Sequence, residues 1–277
     1  MLKLSSDRLL MKGILYVVAT PIGNLEDITL RAIQVLRDVD LVVAEHRGRA
    51  LALLSHLQIR KPILTINSYN EERKARAIVE QLSRSKNCAL ISAAGTPCIS
   101  DPGGILVRKA REEEIDVRAV PGPSAVIAAL SIAGVATDRF LFHGFLPQKG
   151  GKKRKVLQEL LSHPFTVVIY ESPRRVKETL IAIADAAPGR LVAVLRELTK
   201  VYEEVVRGTI EEVRELVEEA DTRGEYVIVI EGQGAVAKGN ENTRREDRDA
   251  RSKAKSARFK DKDSRKRAGR ERLEDYD

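Results

Sequence analysis

The chain has 277 residues, enough for two domains of ordinary size, which excludes a peptide or a short interaction tail. Hydrophobic residues make up 43% but aromatic ones only 4%, with no Trp, so the core must be built from Val, Ile, Leu and Ala, as in a buried, mostly parallel sheet. The formal charge of +8 is uneven: from Val236 onward there are 15 Lys and Arg against 10 Asp and Glu, which leaves only 33 against 30 upstream.

Residues 1–12 mix apolar positions with Lys3, Asp7 and Arg8 and read as an N-terminal extension. Ile14 to Ala19 is a β-branched run that ends in Thr20-Pro21-Ile22-Gly23-Asn24, a buried strand feeding a tight loop. The pattern then predicts a helix over about Asp27 to Asp38, a strand over Asp40 to Ala44, a helix over Arg49 to Leu57 and a strand over Ile63 to Ile66. It continues with a helix over Glu71 to Ser83, a strand over Cys88 to Ser92, a helix over Gly103 to Glu113 and a strand over Asp116 to Val120. Strands alternating with helices predict an N-terminal α/β domain, residues 13–121, with a parallel sheet and crossover helices.

Pro121-Gly122-Pro123-Ser124 interrupts the series and marks a domain junction. The apolar helix Ala125 to Ala133 that follows is expected to be buried on most sides. A second α/β domain, residues 122–234, carries strands at Arg139 to Gly144, Phe165 to Tyr170, Leu191 to Arg196, Glu204 to Gly208 and Tyr226 to Glu231. Its helices are Lys152 to Leu161, Arg174 to Ala186 and Ile210 to Glu219. The strand Glu204 to Gly208 stands so close to its helix that this sheet is expected to be mixed. Of the 42 residues from Val236, 25 are charged, and residues 235–277 are expected to form a disordered tail.

The common catalytic signatures are absent: no GxxxxGK[ST], HExxH or GxSxG, and four scattered histidines, so no metal site is expected. A GxGxxA string at Gly232 to Ala237 precedes charged residues rather than a helix and reads as a chance match. No apolar run approaches the roughly 18 to 20 residues that span a bilayer. Cys88 and Cys98, without a CxxC or a secretory segment, point to a reducing, cytoplasmic setting.

More informative are the loops after strands, because open α/β sheets bind ligands beyond the carboxyl ends of their strands. Thr20 to Asn24, Ser92 to Gly103 and Pro121 to Ala125 are rich in Gly, Pro and small residues that expose main-chain donors and acceptors. Each has a bland reading as turn punctuation, and Asp101-Pro102 reads as an N-cap followed by Pro at the first helical position. Three such loops on one sheet edge predict a shared cleft.

TPIGNLEDITLRA (Thr20 to Ala32), SAAGTPCISDPG (Ser92 to Gly103), VPGPSA (Val120 to Ala125), FHGFLP (Phe142 to Pro147), YESPRR (Tyr170 to Arg175) and RELTK (Arg196 to Lys200) occur in this order. Together they resemble the ribosomal small-subunit methyltransferase I family of the tetrapyrrole-methylase superfamily, over about Gly13 to Gly232. The resemblance implies a two-domain, homodimeric protein that binds S-adenosylmethionine and methylates the ribose 2′-hydroxyl of a decoding-centre cytidine in 16S rRNA of the 30S subunit. No DNA and no membrane partner is implied. Carried over by motif, Pro21, Gly23 and Ala93 come near the cofactor, and Gly95, Thr96, Pro97, Ile99, Ser124 and Ala125 line its amino-acid and sugar end. Phe145, Tyr170, Leu198, Gly224, Glu225 and Tyr226 close the adenine side. The chain departs from the family at Ala93 and His46, where acidic residues are usual, and at Arg174, where histidine is usual.

Methyl transfer from a sulfonium is a direct displacement that needs in-line positioning. The hydroxyl must lose its proton, and a positioned base contributes a typical 10²–10⁴-fold. Glu45, Glu197 and Lys200 are the candidates, each with a solvated or ion-paired alternative; His46 stands where the family has Asp. Lys149, Lys152, Lys153, Arg154 and Lys155 open a helix of the second domain and, with Arg174 and Arg175, are expected to meet RNA phosphates. A same-fold methylase with a tetrapyrrole or protein acceptor, and an inactive RNA-binding homologue, remain as alternatives.

Overall fold

The computed structural model describes residues 12–219 and 223–233; the N-terminal extension up to Met11 and the charged tail lie outside the described residues. The chain runs β1 (Ile14–Val18), α1 (Leu30–Asp38), β2 (Leu41–Ala44), α2 (Arg47–His56), β3 (Ile63–Thr65), α3 (Glu71–Ser83), β4 (Cys88–Ile91), α4 (Gly104–Glu112) and β5 (Asp116–Val120). It continues with α5 (Ala125–Ile132), β6 (Phe140–Phe145), α6 (Gly150–Leu161), β7 (Thr166–Glu171), α7 (Val176–Ala186), β8 (Leu191–Arg196), β9 (Glu204–Thr209), α8 (Ile210–Glu219) and β10 (Tyr226–Ile230).

The first five strands form one sheet in the order β3-β2-β4-β1-β5, with every neighbouring pair parallel. Alternation of side chains assigns its faces: Leu41 and Val43 pack with α3 and α4, whereas Val42 and Ala44 pack with α1 and α2. Because both faces are covered, β2 and β4 are buried at every position, and each fully buried Leu or Ile contributes about 1.5–3 kcal/mol.

The second sheet has the order β6-β7-β10-β8-β9 and is mixed, with β6 parallel to β7 and the other three pairs antiparallel. Helices α6, α7 and α8 cover one face and α5 covers the other. Ile22, from the loop after β1, packs into that α5 layer and so links the two sheets. The apolar α5 is less enclosed than its composition predicts: Val126, Ala129 and Leu130 are buried, but Ile127 and Ile132 are 56% and 47% exposed.

Candidate active site

The three small-residue loops at the carboxyl edge of the first sheet are tied together through the main chain. Thr20 and Gly95 exchange both backbone hydrogen bonds, at 2.9 and 3.0 Å, joining the loop after β1 to the loop after β4. The Thr96 hydroxyl donates to the Pro123 carbonyl at 3.2 Å and brings in the loop after β5. Joined in this way, they form one wall of a cleft of about 310 Å³. The facing wall comes from the second sheet: Phe145 on β6, Tyr170 on β7, Leu198 after β8, and Gly224 to Val227 at the start of β10. Tyr170 meets Phe142 and Phe145 edge-on, at ring separations of 4.9 and 5.6 Å, and burial, with the Asp101 charge behind it, pushes its hydroxyl up to about 12.

The backbone is strained on both sides. Cys98 and Ser100 have φ of 69° and 65°, and Glu197 and Thr199 have 51° and 66°, a conformation that costs of order 1–3 kcal/mol at a non-glycine residue and clusters at ligand sites. One glycine permits the walls to approach and another permits close packing within the second wall. A Cβ on Gly144 (φ +78°) would stand 2.7 Å from the Ser100 hydroxyl oxygen, and one on Gly224 (φ +115°) 2.7 Å from Glu197 Cγ.

Of the residues expected at the cofactor, Gly95, Thr96, Ile99, Ser124, Ala125, Phe145, Tyr170, Leu198, Gly224, Glu225 and Tyr226 line this cleft. Pro21, Gly23 and Ala93 instead line an adjoining depression with Lys200 and Glu225. Pro97 is buried and borders neither. Not anticipated were Ile22, Ala94, Ser100, Asp101, Glu171, Ser172, Pro173 and Val227, all of which line the cleft and all but Val227 of which fall inside the family motifs.

The tetrapyrrole (corrin/porphyrin) methylase model matches residues 14–214. The chain belongs to that family. Among curated relatives, the ribosomal RNA small subunit methyltransferase I of Haemophilus influenzae is 45% identical over 226 residues, 80% of each chain. That of Bacillus subtilis is 43% identical over 220 residues, 79% of this chain and 75% of the relative. Within the methylases, the chain therefore belongs with the ribosomal RNA small subunit methyltransferase I group. Solved structures share the fold: a cobalt precorrin-4 methyltransferase at 18% identity and TM-score 0.59 (79% of this chain, 94% of that one), and diphthine synthase at 14% and 0.62 (79% and 90%).

As a member of this family the chain is an S-adenosylmethionine-dependent methyltransferase. The cleft suits such a donor, being of small-molecule size with apolar and aromatic walls and a few polar groups. Phe145, Tyr170 and Leu198 offer apolar surface to a flat adenine, and the small residues Gly95, Ser124 and Ala125 leave the main chain accessible.

Of the candidate bases in this methylase, two are held by each other. Lys200 Nζ donates to Glu197 Oε1 at 2.7 Å and to Glu225 Oε2 at 3.1 Å, and the Glu225 N–H donates to Glu197 Oε1 at 2.9 Å. Desolvation opposes charge on both, but these hydrogen bonds and charges prevail, holding Glu197 below the usual carboxylate range and Lys200 above the usual amine value. Lys200 keeps its proton, and Glu197 is a weak base. Glu45 stands just outside the cleft, 3.9 Å from His46 Nε2, with its charge acting on Asp101.

Asp101 is not the N-cap that its Asp-Pro sequence suggests. Helix α4 starts at Gly104, and Glu71 Oε1, from α3, accepts the N–H groups of Gly103, Ile105 and Leu106 at 3.0, 2.8 and 3.1 Å. Glu71 is buried to 4% exposure, and the positive end of α4 compensates its charge. The Asp101 side chain is left to the cleft, where burial first and then the Glu45 charge push its carboxyl up to about 6.

The basic cluster divides. Lys149, Lys152, Arg154 and Lys155 are exposed around the start of α6, and Arg174 is exposed beyond β7. Lys153 is not available to a phosphate: its side chain is 4% exposed and its Nζ pairs with Glu178 at 3.0 Å, because helical spacing turns it inward beside Leu157. Arg175 is likewise internal, donating to the Leu146 and Pro147 carbonyls and pairing at 3.3 Å with the fully buried Glu171 carboxylate.

Proposed function

We propose that this methylase transfers the methyl group of S-adenosylmethionine to the ribose 2′-hydroxyl of a decoding-centre cytidine in 16S rRNA of the 30S subunit. The observation that carries the reading is 45% identity, across four-fifths of both chains, to a protein named ribosomal RNA small subunit methyltransferase I. The exposed Lys149, Lys152, Arg154 and Lys155 support a polyanionic acceptor such as RNA.

The donor supplies an electrophilic methyl group. The chain supplies position and a proton acceptor. The two walls orient donor and acceptor in line and exclude water, and positive charge disappears in the reaction, so a site without a cation at the reacting centre is sufficient. Ala93 lies in the adjoining depression rather than in the cleft, which supports an active cleft despite the missing acid there. The chain acts as a homodimer in this reading, and the apolar, half-exposed Ile127 and Ile132 on α5 support a face covered by a second copy. The cytoplasm is the corresponding location, and among the described residues no helix is long and apolar enough to cross a membrane.

The test is transfer of labelled methyl to 30S subunits from cells lacking decoding-centre ribose methylation. Label mapped to a ribose hydroxyl is the expected result. Intact 30S binding with no incorporation, while a Haemophilus influenzae relative is active in parallel, would overturn it in favour of a redirected or inactive protein.

A further inference from the structure

A methyl donor in the cleft needs its acceptor close by, because in-line transfer sets the attacking oxygen about 3–3.5 Å from the methyl carbon, on the side away from sulfur. Beside the cleft lies the depression of about 240 Å³ bordered by Pro21, Gly23, Leu25, Arg49, Ala93 and Lys200. It shares Ile22, Ala94 and Glu225 with the cleft, so ligands in the two are neighbours. Two other hollows do not serve. The one between α8 and its sheet meets the cleft only at Tyr226, and its Arg196 is paired with Glu204 at 3.4 Å. The one at the end of α2 shares no residue with the cleft.

The two cations of the depression are not equivalent. Lys200 is taken by Glu197 and Glu225, at 2.7 and 3.1 Å, so that cluster has no positive charge to spare. The Arg49 side chain is exposed and, among the described residues, has no hydrogen bond or ion pair. It stands in the first turn of α2, where the helix dipole disfavours a cation and no acidic residue offsets it. Next to it in the depression, Leu25 is 42% exposed and offers apolar surface to a sugar or base, and Ala93 brings no charge to repel an anion.

Resting on the ribose-methylation reading above, we infer that the depression seats the acceptor nucleotide and that Arg49 binds a phosphate flanking the ribose to be methylated. In RNA the 3′-phosphate leaves the ribose from the carbon beside the one that bears the 2′-hydroxyl, so holding that phosphate orients the hydroxyl. A guanidinium suits the task, since its planar fork pairs with two phosphate oxygens at once and fixes direction as well as charge. The contact positions the nucleotide without reading its base. The exposed cations of α6 draw in the RNA at large, and Arg49 sets one nucleotide against the donor.

The experiment compares wild type, Arg49→Gln, Arg49→Lys and Arg47→Gln. Methyl transfer to undermethylated 30S subunits is followed across a salt series, and S-adenosylmethionine affinity is measured by calorimetry. Arg47 is the control: it is exposed, donates to the Ile63 carbonyl at 3.1 Å and lines neither hollow. Arg49→Gln is expected to raise KM for 30S about 10–100-fold, the worth of a charged hydrogen-bonded contact, with donor Kd changed by less than about threefold. It should also make the salt dependence of KM shallower by about 0.7–0.9, with melting unchanged. Arg49→Lys keeps the salt dependence and recovers part of the KM, because the charge remains and the fork is lost. Arg47→Gln stays within about twofold of wild type, its charge being screened and away from the nucleotide. An unchanged KM in Arg49→Gln, or an equal rise in Arg47→Gln, overturns the assignment alone. So does donor affinity falling as far as KM rises, which gives Arg49 to the donor's carboxylate. No ribose label from wild type overturns the functional reading with it.

Discussion

The two walls of the cleft are built by different physics. The first-sheet wall is held by main-chain bonds between loops, by one buried carboxylate at a helix start and by small side chains. The second-sheet wall is held by side chains: the Glu171–Arg175 pair that fixes the segment after β6, and the Glu197–Lys200–Glu225 cluster beside β10. Parallel strands end together and send their loops to one edge, where backbone can pair with backbone. Antiparallel strands alternate direction, so the chain both leaves and enters at that edge, and charge pairs there add to the Glu197 N–H bond to the Glu225 carbonyl at 3.0 Å. Both walls are therefore expected to respond to pH, in opposite senses: ionisation of the raised Asp101 carboxyl loosens the first, whereas protonation of the lowered Glu197 loosens the second.

The largest effect is expected at Arg175→Met, which leaves the buried Glu171 without its cation and should cost about 3–5 kcal/mol in urea unfolding. A loss below about 1 kcal/mol would show that Thr179 and the Ser172 N–H suffice for that carboxylate. Next is Glu71→Ala in the first wall, where three N–H groups at the start of α4 lose their acceptor, for about 3 kcal/mol and a weakened donor affinity.

Lys200→Met sharpens the contrast in pH. Glu197 is held below its ordinary value, so its contribution is present above about pH 4.5 and is lost as pH falls through the lower native value. The substitution should remove about 1 kcal/mol at pH 7 and flatten the stability profile on the acid side. Glu71→Ala should leave that profile unchanged in shape. Smallest in stability, Lys152→Gln, Arg154→Gln and Lys155→Gln together should leave melting within a degree or so, being exposed. They should instead make the salt dependence of 30S binding shallower by about 0.7–0.9 for each phosphate no longer neutralised. An unchanged slope would move the RNA face elsewhere.

Helix α3, helix α8 and strands β5 and β8 have the bounds expected from the sequence, because local periodicity and β-branched runs decide them. The helix expected from Asp27 starts at Leu30 instead, since the Thr29 hydroxyl caps it by accepting the Ala32 N–H at 3.1 Å, after a short 3-10 turn over Leu25–Asp27. Most of the cleft is likewise legible in the sequence, as loops after strands and as family motifs. Asp101 reads as a cap in the sequence, because capping is normally a local bargain and the cap here comes from a residue thirty positions upstream. Lys153 reads as solvated because a run of cations hides which one a helix turns inward.

By itself the sequence determined which segments form strands and helices, that the first sheet is parallel and the second mixed, and which family the chain joins. The elements and the sheet types follow from spacing and composition within a few residues of each position, and the family from the motifs taken in order. Only the tertiary structure decided which charges are partnered: that Glu71 serves α4, that Arg175 and Lys153 are internal, and that Lys200 is shared by two carboxylates. Ion pairing and burial depend on distances between segments remote in the chain, and those distances set which charged groups at the cleft are partnered.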